Sequence, residues 1–123
     1  SISTTFIITA GTFGAMSLYG YYTKSDLTKL GSLAFMALIG IIIASVVNMF
    51  MNSEMMSWII SYLGVAIFIG LTAYDTQKLK GIAINGFENE ESMEKSAILG
   101  ALTLYLDFIN LFLFLLRILG DRK

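Results

Sequence analysis

Two aspartates, Asp75 in GLTAYDTQKLK and Asp107 in LTLYLDFINLFLF, lie inside long apolar stretches, while the other seven of the nine acidic residues fall in polar connections or in the tail. A charged side chain at the middle of a bilayer costs about 3 kcal/mol on insertion scales, so such a residue faces protein or water and marks a working site. Two carboxylates brought close in a low dielectric cannot both ionise cheaply, and they share a proton instead. That is the chemistry of a latch, bridged in acid and doubly charged and self-repelling in alkali. The same two groups are hard oxygen ligands for calcium, although two alone form a weak, incomplete metal site that suits a gate or transit point better than a store. Thr72 shares the helical face of Asp75, and Thr103 and Asn110 share the stripe of Asp107 at spacings of four and three, so these three are the expected polar lining of an ion path.

Plainer roles stand beside these. Asp75 has Lys78 and Lys80 just downstream as ion-pair partners, and Asp107 has any neighbouring helix as a hydrogen-bond partner. Enzyme chemistry is not expected. The chain holds no Cys and no His, which removes thiol catalysis, thiolate or imidazole metal sites, and the usual general base. It has no phosphate-binding glycine loop, and neither aspartate sits in the glycine-flanked motif of an aspartic intramembrane protease. No cofactor is implied. Eight basic residues against nine acidic ones leave no basic stripe for nucleic acid.

Composition says which elements must carry the aspartates. Of the 123 residues 56% are hydrophobic and 14% charged, where a soluble domain carries roughly a quarter charged. Mean hydropathy is +0.75. Lipid is the simpler solvent for such a chain. Four stretches, at about 2–22, 30–51, 56–78 and 97–119, are each near the ~20 residues a helix needs to cross the hydrocarbon. In lipid a helix satisfies its own backbone, and alternation of period two is absent, so an all-α integral membrane domain is predicted over residues 1–123 rather than a barrel or a soluble bundle. Trp58, Tyr62, Tyr19, Tyr21 and Tyr22 near segment ends read as interface anchors. Gly11 with Ala15, Gly14 with Ser17, Gly40 with Ala44 and Gly64 with Gly70 read as close helix contacts.

Lys24 and Lys29 in the first connection and Lys78, Lys80 and Lys95 in the third place both on the cytoplasmic side. Four plain crossings would then leave Arg122 and Lys123 outside, against the positive-inside rule, so either the tail is an exception or the fourth segment is re-entrant. Depth constrains a shared aspartate site. If the fourth helix entered at Ala97, Asp107 would lie about 10 Å deeper than Asp75; an edge near Leu102 cuts this to ~3 Å and puts Ser96 to Ala101 at the interface or in a wet vestibule. The chain begins at Ser1 without a Met, which suggests that earlier residues belong to the protein.

ITAGTFGAMSLYGYYTKSDL, FMALIGIIIASVVNMF, GLTAYDTQKLK and ILGALTLYLDFINLFLFLLRILG together resemble the Bax inhibitor-1 family, especially its bacterial inner-membrane members, over essentially the whole chain. The resemblance implies the last four helices of a seven-helix bundle built around a central last helix. It also implies a pH-sensitive calcium leak, with Asp75 and Asp107 at the motif positions that latch the pore through a shared proton. The family's partner arginine on an early helix has no counterpart in these residues. Bacterial inner-membrane location and calcium as the permeating ion follow from the same resemblance. So does an alternative, a non-conducting protein that modulates a membrane-anchored quality-control protease or a stress response. For that alternative the acidic stretch from Glu88 to Glu94 and the small-residue grooves would be the contact surfaces.

Overall fold

In a computed structural model, which describes residues 2–85 and 90–120, the chain forms four helices: α1 (Ile2–Tyr22), α2 (Thr28–Met51), α3 (Glu54–Asn85) and α4 (Glu90–Gly120). All four are long and apolar enough to cross a membrane. No proline interrupts them. Helices α3 and α4 run well into the polar stretch that the sequence assigns to a connection, through Gly81–Asn85 and Glu90–Ser96. Once outside lipid, a helix there is held by solvated polar residues, among them the Glu91–Lys95 pair at 3.5 Å, and acidic residues at the start of α4 suit the positive end of its dipole. Glu88, Arg122 and Lys123 lie outside the described residues.

Helix α3 is the hub. It packs against α1, α2 and α4, whereas α4 touches only α3 and α1, and α2 touches only α3 among the described residues. Of the most apolar stretch of α3, 44% is buried, against 11% for α4, so the third helix rather than the last is the enclosed one. The core is a seam of Ala34 and Ile41 from α2, Ile60, Ile67, Phe68 and Leu71 from α3, and Leu111 from α4. On its other side α1 joins α4 through edge-to-face contacts of Phe6 and Phe13 with Phe108, at 5.7 and 5.2 Å between ring centroids.

Of the small-residue pairs, Gly64 meets Phe114 and Gly70 lies near Leu30 and Ala34, but among the described residues nothing stands within 4 Å of a Cβ placed at Gly11, Gly14 or Gly40. Those three faces are bare. Tight approaches are at Gly20, against the Ala73 backbone, at Gly31, against the Tyr74 ring, and at Gly100, against Leu79.

Both connections around α2 are built by side chains. At the α2–α3 turn Asn52 takes a left-handed conformation (φ 52°), which asparagine tolerates. Asn48 braces this turn, its Oδ1 accepting from the Ser53 N–H at 2.9 Å and its Nδ2 donating to the Ser57 hydroxyl at 2.9 Å. At the other end, Gln77 accepts from the Leu27 N–H at 2.9 Å and donates to the Ser25 carbonyl at 2.7 Å, while Lys80 donates to the Tyr21 carbonyl. The α1–α2 connection is thereby stapled to α3.

Asp26 starts α2. Its Oδ1 accepts from the Thr28 hydroxyl at 2.6 Å and from the Thr28 N–H at 3.0 Å, and these two bonds hold its carboxyl below the usual carboxylate range. A depressed folded-state value means the contribution is present above the ordinary aspartate range and is lost as pH falls through the lowered value. Asp26→Ala is therefore expected to speed hydrogen exchange of the Thr28 amide at neutral pH and to make no difference in strong acid. An acceleration that persisted in strong acid would show that the carboxylate is not what protects this amide.

Candidate aspartate site

Antiparallel packing of α3 on α4 brings Asp75 and Asp107 together. Gly64 lies against Phe114 and Gly100 against Leu79, which sets Asp107 level with Leu71 and Thr72, about one helical turn from Asp75. Every Cα–Cβ bond tilts toward the N-terminus of its own helix, and these helices run in opposite directions. The two side chains therefore lean toward each other across that turn. Their carboxyl groups meet within hydrogen-bonding reach. Asp107 is 5% exposed and Asp75 half-buried.

A hydrogen bond between two carboxyl groups requires a proton on one of them. An ionised carboxylate only accepts hydrogen bonds, and Asp107 Oδ2 is buried with no donor among the described protein groups. When one of the pair carries a proton it donates to the other. Asp75 makes no ion pair among the described residues, for Lys80 is turned to Tyr21, so the interfacial pairing considered for it is not what the structure shows.

Both aspartates open onto a groove of about 840 Å³ between α2 and α4, floored by α3. Gly31, Ser32 and Ser45 line its α2 side, Tyr74 and Lys78 its floor, and Thr103 and Asn110 its α4 side. The hydroxyl of Thr103 and the amide of Asn110 also donate to the carbonyls of Leu99 and Leu106 within α4. Thr72 is not in this lining. It is fully buried, with its hydroxyl donating to the Phe68 carbonyl at 2.7 Å. A smaller cavity of about 230 Å³ continues from Asp75 toward the Lys-rich end, between Lys78, Leu79 and Ile82 on α3 and Ser96, Gly100 and Thr103 on α4. Among the described residues no third acidic side chain joins the pair to make a metal-holding cluster. Lys78 and Tyr74, which border the site, carried no signal beyond their spacing from Asp75.

The sequence matches the family described as "Inhibitor of apoptosis-promoting Bax1" over residues 1–123. The chain belongs to the Bax inhibitor family. It is 59% identical over 124 residues to "Inner membrane protein YbhL" of Escherichia coli K12, covering all of this chain and 53% of that protein. It is 54% identical over 124 residues to an uncharacterized protein of Rickettsia prowazekii, RP147, covering all of this chain and 52% of the relative. With an uncharacterized membrane protein of Streptococcus pyogenes, SpyM3_0260, identity is 47% over 117 residues, 94% of this chain and 49% of the relative. The chain thus spans about half the length of the curated relatives it matches. As a Bax inhibitor family member with four spanning helices, it is a multi-pass protein of the inner membrane.

Proposed function

We propose that the intact protein is a pH-responsive leak for calcium or a related cation, gated by the Asp75–Asp107 pair. The observation that carries this reading is that two carboxyl groups from adjacent membrane helices face each other at the wall of one groove. With one proton the pair ties α4 to α3. Without it two like charges in a low dielectric repel, and the tie opens onto the groove. Two carboxylates give a passing calcium ion oxygen ligands without enough of them to hold it. Thr103 and Asn110 extend the polar side of that route.

Calcium flux into liposomes measured against pH with the intact protein tests this. Flux is expected to rise with pH in the wild type. Asp107→Asn, which donates a permanent hydrogen bond to Asp75, is expected to keep flux low at every pH, and Asp75→Asn to do the same from the other side. A pH response unchanged in both variants would sink the latch.

A second reading has one specific observation in its favour, the bare faces at Gly11, Gly14 and Gly40, where another helix could approach closely. In it the protein restrains a membrane partner such as a membrane-anchored quality-control protease. Retention of that partner on purification, together with absent flux, would favour it over the leak.

A further inference from the structure

At the end of the bundle opposite the Lys-rich connections, the α2–α3 turn and the last turn of α4 enclose a second polar cavity of about 640 Å³. Among the described residues its lining holds one cation, Arg117 from α4, and one anion, Glu54 at the start of α3, together with Ser57, Ser61 and Trp58. The two charges do not pair with each other, and neither has a hydrogen-bond or ion-pair partner among the described residues. Glu54 and Trp58 also border an apolar surface groove of about 660 Å³ that runs along α3 past Ile59 and Leu63. Trp58 stacks on Tyr62 at 5.9 Å between ring centroids, and this aromatic pair stands where the span of α3 begins.

Polar cavity and apolar groove share a wall, so the site has two ends of opposite character. A ligand that matches it carries an anion for Arg117, a hydrogen-bonding cation for Glu54, and a hydrocarbon chain. We propose that this is a binding site for a zwitterionic aminophospholipid, with the phosphate on Arg117, the primary ammonium on Glu54 and an acyl chain in the groove along α3. Guanidinium binds phosphate through two parallel N–H donors, and a primary ammonium can donate to a carboxylate where a quaternary one cannot. Glu54 lies 21 residues before Asp75 on α3 and Arg117 ten residues after Asp107 on α4, about 15 Å or more along either helix, so the site is separate from the aspartate pair and stands whether or not the pair gates a leak.

Native mass spectrometry of the intact detergent-purified protein, titrated with phosphatidylethanolamine, phosphatidylcholine and phosphatidylglycerol, tests this. The ethanolamine lipid is expected to bind tightest. Arg117→Gln should weaken it about tenfold, the size of one charge-assisted hydrogen bond, and Arg117→Lys should restore most of the loss. Glu54→Gln should weaken the ethanolamine lipid and leave the glycerol lipid unchanged, erasing the preference between them. Should Arg117→Gln fail to fold, judged by helicity and elution, the Glu54→Gln preference alone decides. Equal binding of the three lipids to the wild type, or a preference that survives Glu54→Gln, would overturn the proposal. Displacement of the lipid by inorganic phosphate, or by glycerophosphoethanolamine at equal concentration, would overturn it too, since the site would then take a soluble anion or headgroup without its chain.

Discussion

Gly20→Ala is expected to destabilise the protein by about 3 kcal/mol, the upper part of the range for overpacked sites. A Cβ at Gly20 would run into the Ala73 carbonyl oxygen and stand 2.9 Å from the Ala73 Cα and carbonyl carbon. Those are backbone atoms of the hub helix, at a residue with no exposure, so no side chain can swing aside. Helix α1 must lift from α3, which also strains the Lys80 bond to the Tyr21 carbonyl and the Gln77 staple on the connection that follows. Thermal unfolding of the intact protein in detergent measures the effect. Gly11→Ala is the control, because no described residue stands within 4 Å of its Cβ and alanine is the better helix former. Equal melting temperatures for the two variants would mean that α1 and α3 are not held at this separation.

Leu111→Ala should cost about 2 kcal/mol, the low end of the range for large-to-small changes in a core. Leu111 is fully buried, one turn beyond Asp107, in the seam with Phe68 and Leu71 of α3 and Ile41 of α2. In a soluble protein such a truncation loses both transfer energy and packing. In a bilayer the separated helix still has lipid around it, so the loss is chiefly the void and its missing contacts. The same void loosens α4 from α3 beside the aspartates. On the proposed latch, Leu111→Ala should therefore raise calcium flux in acid, where the wild type is closed, and flatten the pH profile from below. Leu113→Ala, at an exposed position on the same helix, should change neither stability nor flux. A Leu111 variant that melts early with an unaltered flux profile would separate packing of the seam from the gate.

The membrane character and the four helices were legible in the residues because lipid leaves few choices. A chain without proline and with four apolar runs of spanning length must satisfy its backbone within each run. Asp75 and Asp107 were legible for a related reason, since an isolated carboxylate in such a run is too costly to be incidental. The ends of α3 and α4 were less so, because beyond the membrane edge hydropathy no longer marks where a helix stops. The close helix contacts were the least legible. Gly11, Gly14 and Gly40 have the same local pattern as Gly20 and Gly31, yet only the latter two meet a neighbouring helix.

Depth shows most clearly where sequence reading stops. Counting residues from the presumed membrane edge separated the two aspartates by about 10 Å or by ~3 Å, depending on where the fourth helix was taken to begin. The register was decided instead by Gly64 against Phe114 and Gly100 against Leu79, contacts between residues far apart in the chain. The fourth segment likewise could be read as re-entrant; it folds as one unbroken helix, long and apolar enough to cross a membrane, with an antiparallel seam against α3.

The residues by themselves determined which groups cannot rest in lipid and how many helices carry them, since both follow from the transfer cost of each side chain and the backbone's need for hydrogen bonds. Only the tertiary structure decided that Asp75 and Asp107 lean into one contact, that Thr72 is sealed away from it, and that α2 and α4 stand apart to leave a groove. Those outcomes depend on how helix surfaces interlock, and interlocking is a property of pairs of helices that no single segment encodes.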